Sequence, residues 1–92
     1  MDNPKLLEYQ FAVGQCELAT GIVLDKKSLL RITDSDDSKL YTIFDSYDTA
    51  KEFSIKRVTG NPEIECWILN SKGETKFVYD KNGERKINTS LR

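Results

Sequence analysis

Two runs rich in β-branched and aromatic residues, Glu63-Ile64-Glu65-Cys66-Trp67-Ile68-Leu69 and Thr75-Lys76-Phe77-Val78-Tyr79, flank Ser71-Lys72-Gly73-Glu74. That is the signature of a β-hairpin in which Gly73 supplies a positive φ. Side chains alternate between the two faces of a strand, so the hairpin sorts its own residues. An even loop centred on Lys72-Gly73 sets Cys66 opposite Tyr79, Trp67 opposite Val78 and Ile68 opposite Phe77. Ile64, Cys66, Ile68, Phe77 and Tyr79 then share one face, which is the predicted core. Trp67, Leu69 and Val78 fall on the other face, beside Glu65, Lys76 and Asp80. A slip of one residue would exchange the faces of a strand, so the whole assignment rests on this register.

Upstream, Lys39-Leu40-Tyr41-Thr42-Ile43-Phe44 has strand composition. Asp45-Ser46 then offers side-chain oxygens to the free amides of a helix start, and Asp48 meets the positive end of the dipole in the first turn. Tyr47, Ala50, Phe53, Ser54 and Val58 recur at helical spacing, which makes one face mostly apolar. Lys56 and Arg57 fall in the last turn. Gly60 is the expected left-handed closing residue, and Pro62 prevents continuation. Residues 40–80 therefore read as strand, helix and hairpin, and form the unit around which the chain is organised.

Residues before 34 admit two readings. As a helix from Pro4 to Leu18, Asn3 would cap it, and Leu7, Phe11 and Leu18 would lie on one side. As a strand, Tyr9, Phe11 and Val13 alternate with Gln10, Ala12 and Gly14. Gly14 weakens a helix but is tolerable at a bulge or bend in a strand, so the strand is favoured. Ala19-Thr20-Gly21 reads as a turn. Ile22-Val23-Leu24 and Ser28-Leu29-Leu30-Arg31-Ile32-Thr33, either side of Asp25-Lys26-Lys27, read as a second hairpin. Asn82-Gly83 is a further turn signal, in a tail beginning at Lys81 whose residues after Lys86 are expected to fray. The predicted architecture is α+β: an antiparallel sheet of four to six strands with one helix packed on one face.

With 92 residues the chain reads as one domain. A chain of this size buries roughly 60–65% of the surface exposed by its unfolded form, enough for one modest core. An apolar content of 38% with 32% charged residues fits an ordinary soluble domain. Net charge is −1, without the basic excess that phosphate neutralisation requires, so nucleic acid is disfavoured as a partner. No apolar run is long enough to span a membrane, and no leader pattern is present, which predicts a cytoplasmic protein. Cys16 and Cys66 share no motif, and reduced thiols are the expectation. The sequence contains no histidine. That removes Ser-His-Asp and Cys-His nucleophile pairs, histidine-containing zinc sites and a histidine pH switch. Glu63 and Glu65 lie two apart at a strand start with no cleft implied. The expectation is a non-enzymatic protein that uses no cofactor.

Two constellations qualify as candidate sites. Trp67, the single tryptophan, sits with Leu69 and Val78 on the face away from the helix, a composition typical of contact surfaces. The alternative is that the N-terminal residues cover it as core. The second is an acidic loop. Counted as an EF-hand from Asp34, it puts Asp36 and Ser38 at the third and fifth positions, Thr42 at the ninth and Asp45 at the twelfth. Asp34, Asp36 and Asp45 are its candidate metal ligands. It departs from the pattern at Lys39, where glycine should make the turn, and at Asp45, shorter than the bidentate glutamate. A basic and aromatic set of Lys81, Arg85 and Lys86 with Tyr79 and Phe77 is interrupted by Asp80 and Glu84.

Phe44-Asp45-Ser46, Ala50, Phe53 and Asn61-Pro62-Glu63-Ile64-Glu65-Cys66-Trp67-Ile68 together resemble small uncharacterised bacterial α+β domain proteins. In these a strand ends in Phe-Asp-Ser, a short helix follows, and an antiparallel hairpin closes the unit. The resemblance implies this fold and brings no catalytic residues. The functional expectation is a protein-interaction or regulatory module, with a protein partner or self-association through a sheet face or edge. The alternatives are a metal- or small-ligand-binding domain using the 34–45 loop, and an immunity or inhibitor protein contacting its target through Asp34, Asp36 and Asp37.

Overall fold

The predicted hairpin is the centre of the observed sheet. In the computed structural model, which describes residues 5–26 and 40–85, the strands are β1 (Phe11–Glu17), β2 (Thr42–Phe44), β3 (Ile64–Leu69), β4 (Thr75–Asp80) and β5 (Gly83–Glu84). One helix, α1 (Tyr47–Gly60), connects β2 to β3. The sheet order is β2-β1-β3-β4-β5, and every neighbouring pair is antiparallel. β2 and β3 both oppose β1, so they run parallel to each other, and α1 is the crossover of a split βαβ unit with β1 inserted. The fold is α+β, as the pattern predicts.

The register is the predicted one over most of the hairpin: Cys66 opposite Tyr79, Trp67 opposite Val78, Ile68 opposite Phe77. It then shifts by one, and Leu69 pairs with Thr75 at a bulge rather than with Lys76. Asn70 is the cause. Its Oδ1 accepts from the amides of Lys72 (3.0 Å) and Glu74 (2.9 Å), and its amide nitrogen donates to the Glu74 carbonyl (3.0 Å). This side-chain-built turn closes one residue earlier than the even loop, which leaves Lys76 as the extra residue at the bulge, and Gly73 adopts φ +77° inside the turn.

Ser46 caps α1 by accepting from the Thr49 amide at 3.2 Å. Gly60 is not the closing residue; it stays helical, and the Asn61 amide donates to the carbonyls of Arg57 and Val58. Ala50, Ser54 and Val58 form the buried face. The Ser54 hydroxyl donates to the Ala50 carbonyl at 2.9 Å, which satisfies it within the core. The helix covers Val13, Ile64, Cys66, Ile68 and Phe77, with Phe11, Phe44, Tyr47, Phe53 and Tyr79 packed around them.

The strand reading of the N-terminal third holds, and Phe11 and Val13 face α1. After the turn at Leu18-Ala19-Thr20, Val23 bridges back to Cys16, and Leu24 donates to the Gln15 carbonyl at 2.9 Å. The other half of the predicted second hairpin, Ser28 to Thr33, lies outside the described residues, as do Asp34, Asp36, Asp37, Ser38 and Lys86. Cys16 and Cys66 are both free thiols. Among the described residues no helix is long and apolar enough to cross a membrane.

Candidate functional site

The face opposite α1 is built from the even-numbered residues of β1 and the odd-numbered residues of β3. Cross-strand partners share a face, so Gly14, Trp67 and Val78 form one row, and Ile43, Ala12 and Leu69 form the next. Gly14 explains the conformation of the tryptophan. A β-carbon at Gly14 would fall 2.5 Å from Cε2 and 2.8 Å from Cη2 of Trp67. The indole therefore lies across β1 in the space that glycine leaves open. The Tyr41 ring meets it edge-on, with centroids 6.3 Å apart and planes at 87°.

The three predicted contact residues do not share one environment. Trp67 and Val78 are half-buried. Leu69 is only 6% exposed, beside Ala12 at the bulge, and so supports the face without presenting a surface. Near it, Ser71 donates to the Glu8 carbonyl, which ties the segment before β1 to the hairpin loop. The open apolar position on this face is Ile43, 47% exposed and missed in the sequence because β2 was read without its register to Ala12.

A polar cluster occupies the other end of the same face. Arg85 pairs with Glu65, and with Asp80 at 3.3 Å. Both carboxylates are largely covered, while the Arg85 side chain is half exposed. The Cys16 thiol donates to Glu65 at 3.8 Å. Burial, reinforced by the Glu65 charge, pushes that thiol up to about 11; burial alone is the main cause that takes Cys66, inside the core, up to about 12. Neither thiol has the stabilised thiolate that nucleophilic chemistry requires. Glu65, which the sequence shows only as one of two carboxylates at a strand start, is the hub of this cluster.

Of the candidate metal ligands only Asp45 is described. It is exposed, and its Oδ1 accepts from Gln10 at 3.1 Å. The basic and aromatic set does not form one surface: Phe77 is fully buried beneath Lys51, and Arg85 is committed to Glu65 and Asp80. Two clefts remain. One of about 540 Å³ is lined by Glu17, Leu18, Ala19, Pro62, Glu63 and Lys81. Another of about 390 Å³ lies between β2 and α1. Comparison of the chain with protein families, with curated proteins and with solved structures finds no match.

Proposed function

We propose that this chain is a non-enzymatic protein-interaction module acting through the sheet face opposite α1. The observation that carries the reading is Trp67 packed over Gly14 and against the Tyr41 ring, half-buried, with Val78 in its row and Ile43 open in the next. An aromatic anchor already fixed in place loses little conformational entropy on binding, which is the property of a contact hot spot. Leu69 backs the surface from below. The free thiols of Cys16 and Cys66 support a cytoplasmic setting.

The test is affinity capture from lysate of the source organism, with the intact chain beside Ile43→Lys and Val78→Lys copies checked for folding by circular dichroism. The expected result is a partner retained by the intact chain and lost by both variants. A partner held equally by all three, or none held by any, would overturn the reading.

A further inference from the structure

The turn between β4 and β5 holds Asn82-Gly83, the single asparagine–glycine pair in the sequence. Asp80 pairs with Gly83, so Lys81 and Asn82 form the loop. Asn82 is exposed, and among the described residues nothing accepts from or donates to its side-chain amide. Its backbone N–H donates to Asp80 Oδ1 at 2.8 Å, which holds the turn and leaves the Asn82 Cγ open to attack. Gly83 sets no side chain beside its own amide nitrogen, and a β-carbon built there would meet nothing within 4 Å, so water reaches the linkage. A nucleophile tethered next to its electrophile reacts far faster than one arriving from solution.

The other described asparagines each lack one of these conditions. Asn70 is held on both sides of its amide: Oδ1 accepts from the amides of Lys72 and Glu74, and Nδ2 donates to Glu74 Oε1 at 2.8 Å. Asn61 precedes Pro62, which has no N–H to supply the nucleophile. The position of Asn82 also decides what a reaction there would do. β5 is only Gly83–Glu84, and Arg85 directly after it bridges Glu65 and Asp80.

We propose that Asn82-Gly83 is a self-modification site, whose isoaspartyl product detaches β5 and releases Arg85 from Glu65 and Asp80. The Gly83 nitrogen bonds to Asn82 Cγ while the Cγ–Nδ2 bond breaks. The departing amino group takes the Gly83 amide proton and leaves as ammonia. Water then opens the resulting succinimide. Breaking the new N–Cγ bond yields aspartate; breaking the original peptide C–N bond yields isoaspartate, in which the main chain runs through Cβ and Cγ. The isoaspartyl link adds a backbone atom to the short loop, so Gly83 loses its place opposite Asp80. The freed α-carboxylate stands beside the Asp80 carboxylate, and like charges repel.

The folded full chain, aged in warm, mildly alkaline buffer, tests this by peptide mapping with mass spectrometry and isoaspartyl methyltransferase labelling. Asn82 should convert at least about tenfold faster than Asn61 or Asn70, a difference of about 1.4 kcal/mol in barrier. The isoaspartyl fraction, separated by chromatography, should exchange the Glu84 and Arg85 amides about tenfold faster than the fresh chain, with β3 unchanged. Asn82→Asp, which carries the charge without the extra atom, should exchange these amides more slowly than the isoaspartyl form. The first two measurements use the wild-type sequence, so neither depends on a variant folding. Conversion at Asn82 no faster than at Asn70 would overturn the site. An isoaspartyl chain whose Glu84 and Arg85 amides exchange like those of the fresh chain would overturn the release of Arg85.

Discussion

Trp67 lies across Gly14 of the neighbouring strand, in space that any side chain at that position would claim. The two residues are opposite each other in the β1–β3 register, so the indole replaces the missing side chain of its own cross-strand partner. Gly14→Ala should therefore destabilise the fold by about 1–3 kcal/mol, the usual range for overpacking, despite the entropic gain of removing a glycine from a strand. Urea unfolding followed by far-ultraviolet circular dichroism measures it, a readout that does not depend on the single tryptophan. In a Trp67→Leu background the same substitution should cost markedly less, because residues in contact couple. Equal costs in the two backgrounds would show that Gly14 is required for some other reason.

The strand register, the helix and its cap were all legible in local chemistry, because each follows from spacing or from one side chain near its own backbone. Ser46 sits three residues before the amide it caps, and Cys66, Trp67 and Ile68 meet their partners across a short loop. What was not legible needed either long-range pairing or a small energetic difference. Gly14 read only as a residue that weakens a helix and is tolerable at a bend in a strand, until Trp67 was set opposite it, some fifty residues later in the chain. The bulge at Leu69 depended on whether Asn70 would close its own turn one residue early. Arg85 looked like part of a solvated tail, because nothing local announces that β5 folds back to bring it onto Glu65. Cys66 lies in the core face where the hairpin register puts it, and Cys16 is buried as well without any motif that would announce it.

The two thiols set a pH dependence at the alkaline side. Their folded values, about 11 for Cys16 and about 12 for Cys66, lie above the ordinary value of 9.0. The folded state holds its thiol protons more tightly than the unfolded state, so stability is fully present below pH 9.0 and falls as pH rises toward 11 and 12. The slope should be about 1.4 kcal/mol per pH unit for each thiol in that window. Denaturation of wild type and Cys16→Ala between neutral and alkaline pH checks it: the variant should lose stability less steeply above pH 9. Parallel curves would mean that Cys16 ionises as easily folded as unfolded. At neutral pH both thiols should resist alkylation until the chain is unfolded.

Ser46→Ala tests the start of the helix. Removing the hydroxyl that accepts from the Thr49 amide should cost about 1 kcal/mol, and Ser46→Asp should restore most of it through the same acceptor and a favourable charge at the helix N-terminus. Thermal unfolding followed by circular dichroism reads both. If Ser46→Ala melts with the wild type, water is capping the helix as well as the side chain does.

Arg85 closes the far end of the sheet. Its backbone amide donates to the Val78 carbonyl at 2.7 Å, while its guanidinium bridges Glu65 on β3 and Asp80 on β4. The carboxylates are largely covered, so removing the arginine leaves two negative charges facing each other with little water. The guanidinium itself is half exposed, which reduces the loss from the several kcal/mol of a fully buried pair to about 1–2 kcal/mol for Arg85→Met. Amide exchange at Glu84 and Arg85 should accelerate more than exchange in β3, because among the described residues β5 pairs only with β4 and gains its anchoring from this bridge. Adding Glu65→Gln to Arg85→Met should recover part of the stability by deleting the charge that lost its partner, and should also lower the Cys16 thiol, which Glu65 helps to raise. Recovery without the thiol shift would keep Glu65 in the repulsion but separate Cys16 from the cluster, and no recovery would assign the lost stability to Asp80.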